Sequence, residues 1–174
     1  MKGRILTIAG SDSGGGAGIQ ADIKAITALG GYAASALTAL TAQNTHGVTA
    51  IEAIDPAFVV EQVRVVHADI GLDAIKIGML HRVEVIEALA DYFDGCAELP
   101  PVVLDPVMIA KGGAALILDD AQTAMMERLV RRHTTLLTPN VPEAERIAGR
   151  SIKTIDDMKA VANELIAMGP KAVL

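Results

Sequence analysis

After almost every apolar run, the sequence places residues able to do chemistry. Gly10, Ser11 and Asp12 follow the first run, Gln43 and Asn44 the second, and Gly78 and Met79 a later one. Asp105 with Pro106, and Thr138 to Asn140, close two more. If these runs are strands of an open parallel sheet, their carboxyl ends share one edge, where loops and helix N-termini bind ligands. Gly, Pro, Asn and Asp are also ordinary turn residues, so the pattern marks a place and not an activity.

The glycine-rich stretch Ser11 to Gly18 lies between an apolar run and a helix-like pattern. Its amides and the positive helix end make a ready site for an anion or polar ligand, and a flexible turn accounts for the glycines equally well. No Lys-Ser or Lys-Thr pair follows the last glycine, so this is not a P-loop, and the Rossmann spacing fits poorly. Asn140 and Glu143 are spaced as a capping box, with Pro142 early in the helix. Asp105 before Pro106 reads as a turn, and Lys111 beside Gly112 and Gly113 as a solvated lysine. His46, His67, His81 and His133 lack mutual metal-ligand spacing, and Cys96 is the single cysteine, so no intrachain disulfide can form.

Strands and helices must alternate to position these residues. Strands are expected over Arg4 to Gly10, Tyr32 to Ala42, Val48 to Ile54, Asp73 to Met79, Pro101 to Leu104, Thr135 to Leu137 and Lys171 to Leu174. Between them, apolar residues recur at helical spacing. Ile19, Ile23 and Ile26 mark one helix. Phe58, Val59, Gln62, Val63 and Val66 mark the next, behind Pro56. Val85, Ile86, Leu89, Ala90 and Phe93 follow, then Ala121, Met125, Met126, Leu129 and Val130, and last Met158, Val161, Ala162, Leu165 and Ile166. Such alternation predicts crossover units and an α/β fold with a mostly parallel central sheet flanked by helices.

Composition agrees. The chain is 51% apolar and 2% aromatic, so its core is aliphatic, as buried parallel strands require. A length of 174 residues fits a single domain. The formal charge of -6 argues against a nucleic-acid surface. The apolar stretch Ile5 to Ala9 is too short for a signal peptide or a membrane span. A cytoplasmic protein is expected.

Five ordered blocks carry a resemblance. The first is Ile8 to Lys24, centred on Gly10-Ser11-Asp12-Ser13-Gly14-Gly15-Gly16-Ala17-Gly18. Then come Thr38-Ala39-Leu40-Thr41-Ala42-Gln43-Asn44-Thr45, Lys76-Ile77-Gly78-Met79-Leu80, Val103-Leu104-Asp105-Pro106-Val107-Met108 and Leu137-Thr138-Pro139-Asn140-Val141-Pro142-Glu143-Ala144. Together they resemble the hydroxymethylpyrimidine/phosphomethylpyrimidine kinases of the ribokinase-like superfamily, over essentially the whole chain. Gly14 departs from the pattern, since relatives often carry Ser there.

The resemblance implies a small-molecule pyrimidine substrate, ATP and Mg2+, in thiamine biosynthesis. It makes Gln43 the reader of the aminopyrimidine edge, which a side-chain amide matches with one donor and one acceptor. Met79 would pack on the ring, Gly10, Ala17 and Val107 would line the pocket, and Asp22 would bond near the hydroxymethyl group. As an alternative, Asp22 favours the positive end of its helix. Asn140, Glu143 and Lys111 would serve the phosphate region, and Asp105 and Glu143 the metal, through water. Phosphoryl transfer in such kinases uses a Gly-x-Gly-Cys or Gly-x-Gly-Asp segment that these 174 residues do not contain. A domain incomplete at its C-terminus, inactive as it stands, is therefore expected. Membrane and nucleic-acid partners are not, and a homodimer is compatible with the family. A pyridoxal-type kinase, a non-catalytic pyrimidine-binding module and a misassembled truncation product are the competing readings.

Overall fold

In a computed structural model, the structure describes residues 2–108 and 119–174, apart from the side chain of Asp119. The chain runs β1 (Arg4–Asp12), α1 (Gly18–Ala28), β2 (Tyr32–Asn44), β3 (Gly47–Ala53), α2 (Pro56–Asp69), β4 (Ala74–Ile77), α3 (Val83–Asp94) and β5 (Val102–Leu104). It continues with α4 (Asp119–Ala124), a π-helical run (Met125–Val130), a last helical turn α5 (Arg131–His133), β6 (Leu136–Leu137), α6 (Val141–Ala148), α7 (Ile155–Ala167) and β7 (Ala172–Val173).

The strands form one sheet in the order β3-β2-β1-β4-β5-β6-β7. Every pairing is parallel except that of β2 with β3, which a hairpin joins. From β1 the chain first moves outward to β2 and β3, then returns to the other side of β1 as β4. Strand order therefore reverses between β1 and β4, and the crevice beyond their carboxyl ends is where such sheets hold ligands.

Helices cover both faces of the central strands, which bury side chains on either side: Leu6, Thr7 and Ile8 are all fully buried in β1. The aliphatic core joins Leu6, Ile8, Ile75, Ile77, Leu104 and Leu137 of the sheet to Val85, Ile86, Leu89 and Phe93 of α3. Helix starts follow local chemistry. Asp55 caps α2 by accepting from the amides of Ala57 and Phe58, with Pro56 at the first helical position.

Three helix residues face away from where their spacing put them. Phe58 is 59% exposed, and Met158 and Ile166 are 48% and 41% exposed. In α2 the buried stripe is Val59 and Val63, and in α7 it is Val161 and Leu165. Phe58 precedes Val59 by one residue and Ile166 follows Leu165 by one, a turn of about 100° that carries each off the inner face.

Strand limits also differ. β1 and β2 each run two residues further than the apolar runs suggest: Ser11 and Asp12 pair with Leu40 and Thr41 after a register shift at Gly10, and Gln43 and Asn44 pair with Val48 and Gly47 of β3. β4 is shorter than expected. Asp73, just before it, donates its backbone N–H to Arg4 O at 2.8 Å, while its carboxylate accepts from the Arg4 backbone N–H at 2.7 Å and guanidinium at 2.9 Å.

Candidate functional site

The glycine-rich loop is built around Asp12. Its carboxylate accepts from the backbone amides of Gly14 at 2.7 Å, Gly16 at 3.0 Å and Ala17 at 2.8 Å. The amides that the sequence offered to an external anion are thus satisfied by the protein's own carboxylate, which is buried. This corrects the expectation of an anion site in the loop itself. Gln20 reaches back from α1, accepting from the Asp12 amide at 2.8 Å and donating to Ser11 Oγ at 2.7 Å. Lys24 Nζ donates to Gly15 O at 2.7 Å. At Gly18, φ is +55° and a Cβ would strike the carbonyl of Gly10, so only glycine fits.

The loop is pinned to the end of β2 through Ser13. Its hydroxyl donates to Gln43 O at 2.7 Å and accepts from Gln43 N at 2.8 Å. The Gln43 side chain lies beside Thr41, whose Oγ1 is 3.1 Å from Gln43 Oε1 and 2.9 Å from Ser11 O. A hydroxyl has one proton, so Thr41 donates either to Ser11 O or to Gln43 Oε1, and it fixes the Gln43 amide only in the second arrangement.

Asp22 lies on α1 beyond its first turn, where no acidic residue is found, so the helix-end alternative does not apply. It belongs instead to a polar set at the strand reversal. Its Oδ2 accepts from the buried Thr7 Oγ1 at 2.6 Å and from Lys76 Nζ at 3.0 Å. Asp105, just past β5, has its carboxyl pKa raised, chiefly by burial; nearby Lys76 opposes the rise and Asp22 adds to it. The Lys76 ammonium lies beside Gly78, a residue just past the end of β4 with no side chain to crowd it. A Cβ there would come within 2.9 Å of Lys76 Nζ.

Met79 is fixed by its carbonyl, which accepts from Thr38 Oγ1 at 2.7 Å. Its methyl group occupies the space that a side chain at Gly10 would fill. Val107 is held in a tight turn, its amide donating to Asp105 O at 2.8 Å.

Gly10, Ala17, Asp22, Gln43, Met79, Asp105 and Val107 converge on one cavity of about 670 Å3. Asn140 and Glu143 do not line it. They form the capping box of α6 in both directions: Glu143 N donates to Asn140 Oδ1 at 3.0 Å, and Asn140 N to Glu143 Oε2 at 2.9 Å. Burial pushes the Glu143 carboxyl up and the Asp105 charge adds to this, against backbone bonds from Asn140 and Met108. Asp105 therefore links the cavity to the head of α6. Lys111 lies outside the described residues.

Sequence reasoning passed over Thr7, Asp12, Thr41 and Lys76 as individual groups. Lys76 had a usable signal, a charged residue inside a buried strand and two positions before a glycine. Thr7 had none, because a threonine in a strand is unremarkable. His46, given no role, lines the cavity from the β2–β3 hairpin.

Comparison with known proteins gives a consistent picture. A sequence model of the family described as Phosphomethylpyrimidine kinase matches residues 12–174. The chain is 46% identical over 171 residues to a hydroxymethylpyrimidine/phosphomethylpyrimidine kinase of Bacillus subtilis, covering 98% of this chain and 62% of that protein. It is 50% identical over 173 residues to a thiamine biosynthesis bifunctional protein of Geobacter sulfurreducens, covering 99% of this chain and 35% of that one. The chain thus spans less than two thirds of the length of these curated relatives. Among solved structures, a phosphomethylpyrimidine kinase from Clostridium difficile superposes with a TM-score of 0.90 at 44% identity, over 98% of this chain and 73% of that one. An ADP complex of Bacillus subtilis pyridoxal kinase superposes with a TM-score of 0.84 at 36% identity, over 98% and 63%. The fold is ribokinase-like, and the family match, from Asp12 on, takes in the glycine loop, the β2–β3 hairpin and the ends of β4 and β5 at the cavity. The chain belongs to the phosphomethylpyrimidine kinase family.

Proposed function

We propose that the protein serves the ATP-dependent phosphorylation of 4-amino-5-hydroxymethyl-2-methylpyrimidine, and then of its monophosphate, in cytoplasmic thiamine biosynthesis. One observation carries the reading: Gln43, Met79, Asp22, Gly10, Ala17 and Val107 meet in a single cavity at the strand reversal. Gln43 presents a donor and an acceptor to the amino group and ring nitrogen of the aminopyrimidine, with Thr41 beside its amide. Met79 offers a polarisable thioether to the ring. Asp22 accepts from the hydroxymethyl group.

Phosphates belong on the side of Asp105, Asn140 and Glu143, at the head of α6, where a helix N-terminus favours negative charge. Asp105 and Glu143 are two carboxyls pushed up by burial, one of them also by the other. A cation there would relieve that repulsion. Among the described residues no group of three or more His, Cys, Asp and Glu side chains could hold a metal ion by itself. That donor set suits Mg2+ held by one or two carboxylates, water and substrate phosphate. The ion would neutralise phosphate charge. Lys111 would add a further positive charge.

The Gly-x-Gly-Cys or Gly-x-Gly-Asp segment assigned to transfer by family resemblance is not among these residues. The expected behaviour is therefore binding of the pyrimidine by this chain, with turnover by a polypeptide of the relatives' full length. Titration calorimetry on this chain and a phosphoryl-transfer assay on both test it. Absence of pyrimidine binding, or a preference for pyridoxal, would contradict the reading. Turnover by the 174-residue chain would show that the segment is dispensable.

A further inference from the structure

A pocket that takes first an alcohol and then its phosphate monoester faces an electrostatic problem. The monoester carries close to two negative charges at neutral pH. Three carboxylates stand in the wall, Asp22, Asp105 and the loop-bonded Asp12, and Lys76 is the one lysine or arginine among the described residues that line it.

Lys76 and Asp22 are arranged so that they can separate. Their ion pair at 3.0 Å retains access to the cavity, with 25% and 18% of the two side chains exposed. The lysine passes over Gly78, so no side chain there confines its ammonium. Asp22 does not depend on the lysine for its position, because Thr7 Oγ1 donates to the same carboxylate oxygen at 2.6 Å. Both of these bonds fall on Oδ2, so among the described residues Oδ1 is left for a ligand.

We propose that the Asp22–Lys76 pair determines which form of the acceptor the pocket holds. Asp22 Oδ1 accepts the hydroxyl proton of the alcohol while Lys76 stays on Oδ2. When the acceptor carries a phosphate, Lys76 leaves Asp22 for the phosphate oxygens, and Thr7 keeps the carboxylate in place. The inference rests on the kinase reading above and names the group that makes its second substrate acceptable.

The test is the ratio of affinities for the two pyrimidines, measured by titration calorimetry without nucleotide on wild type, Lys76→Met, Lys76→Arg and Asp22→Asn. A ratio measured on one preparation is independent of the fraction that is folded. Lys76→Met should shift the ratio at least about tenfold against the monophosphate, the scale of one lost charge-assisted contact. Lys76→Arg should fall between Lys76→Met and wild type. Asp22→Asn should shift the ratio the other way, because it weakens the alcohol's bond and removes repulsion from the phosphate. Equal losses for both ligands in each variant would reduce the pair to a structural role and overturn the inference. So would a Lys76→Met loss confined to a non-hydrolysable ATP analogue with Mg2+, which would place the lysine on the nucleotide. Wild type that binds neither pyrimidine would defeat the kinase reading itself. Binding of both with an unchanged ratio would defeat only the role given to Lys76.

Discussion

The methyl group of Met79 fills the place a side chain on Gly10 would occupy, at the point where the β1–β2 register shifts. Bulges of this kind re-aim side chains next to binding sites. Here the bulge brings the β1 backbone against a thioether that faces the cavity. Gly10→Ala must therefore displace the Met79 methyl group. Pyrimidine affinity should fall about tenfold or more, with about 1–3 kcal/mol of stability lost to overpacking. Calorimetry and denaturant melts check both, and unchanged affinity would remove Met79 from the pocket wall.

Gln43→Glu keeps the shape of the side chain and removes its donor. Thr41 can still donate to the new carboxylate, so the local fold should persist. The ring nitrogen of the aminopyrimidine would then face an acceptor. Binding should weaken about 10- to 100-fold, the scale of one polar group left unsatisfied. An equal loss in affinity for an analogue without the amino group and ring nitrogen would show that Gln43 does not read that edge.

Asp12 predicts stability. Its carboxylate terminates the amides of Gly14, Gly16 and Ala17 in a buried position. Asp12→Ala removes three bonds to amides of exposed residues that water can then reach, and should cost about 1–2 kcal/mol, with loss of ordered binding at the loop. Asp12→Asn keeps acceptor capacity and should recover part of this. Urea melts of the two variants decide, and equal stability of Asp12→Ala and wild type would mean the loop is held by other contacts.

The pH dependence of folding should carry a histidine signature away from the cavity. Burial holds the His133 imidazole below its usual 6.5, outweighing the opposite effect of Asp94, while Arg132 and Arg128 add to the depression. Its Nε2 lies 3.0 Å from Asp94 Oδ1 without hydrogen-bond geometry, and its ring packs edge-on against Phe93. A depressed histidine binds fewer protons folded than unfolded, so its contribution is fully present above pH 6.5 and is lost as pH falls toward the folded pKa. The melting-temperature difference between wild type and His133→Gln should therefore shrink from pH 7.5 to 5.5. A difference that grows would reverse the sign of the shift.

Much of this was legible because aliphatic runs and helical spacing fix a parallel α/β sheet whose strand ends are marked by glycine, amide and carboxylate residues. Gln43, Met79 and Asp105 could be named from sequence, since strand position and family resemblance coincide at them, whereas Asp22, on α1, rested on the resemblance alone. What could not be read was the pairing. Nothing in the order of residues says that Asp12 would consume the loop amides, since that depends on the turn bringing Gly14, Gly16 and Ala17 around one carboxylate. Nor does spacing reveal that Thr7 and Lys76 would meet Asp22 across three separate elements. Phe58, Met158 and Ile166 show the limit of apolar spacing, because a helix resting on a sheet buries only a narrow stripe.

The most direct test is a crystal structure of the protein with bound 4-amino-5-hydroxymethyl-2-methylpyrimidine. The account predicts the Gln43 amide within hydrogen-bond distance of the amino group and ring nitrogen, the ring against Met79, and the hydroxymethyl oxygen beside Asp22. A ring bound elsewhere, or Gln43 turned to bulk solvent while the ligand occupies the cavity, would contradict it.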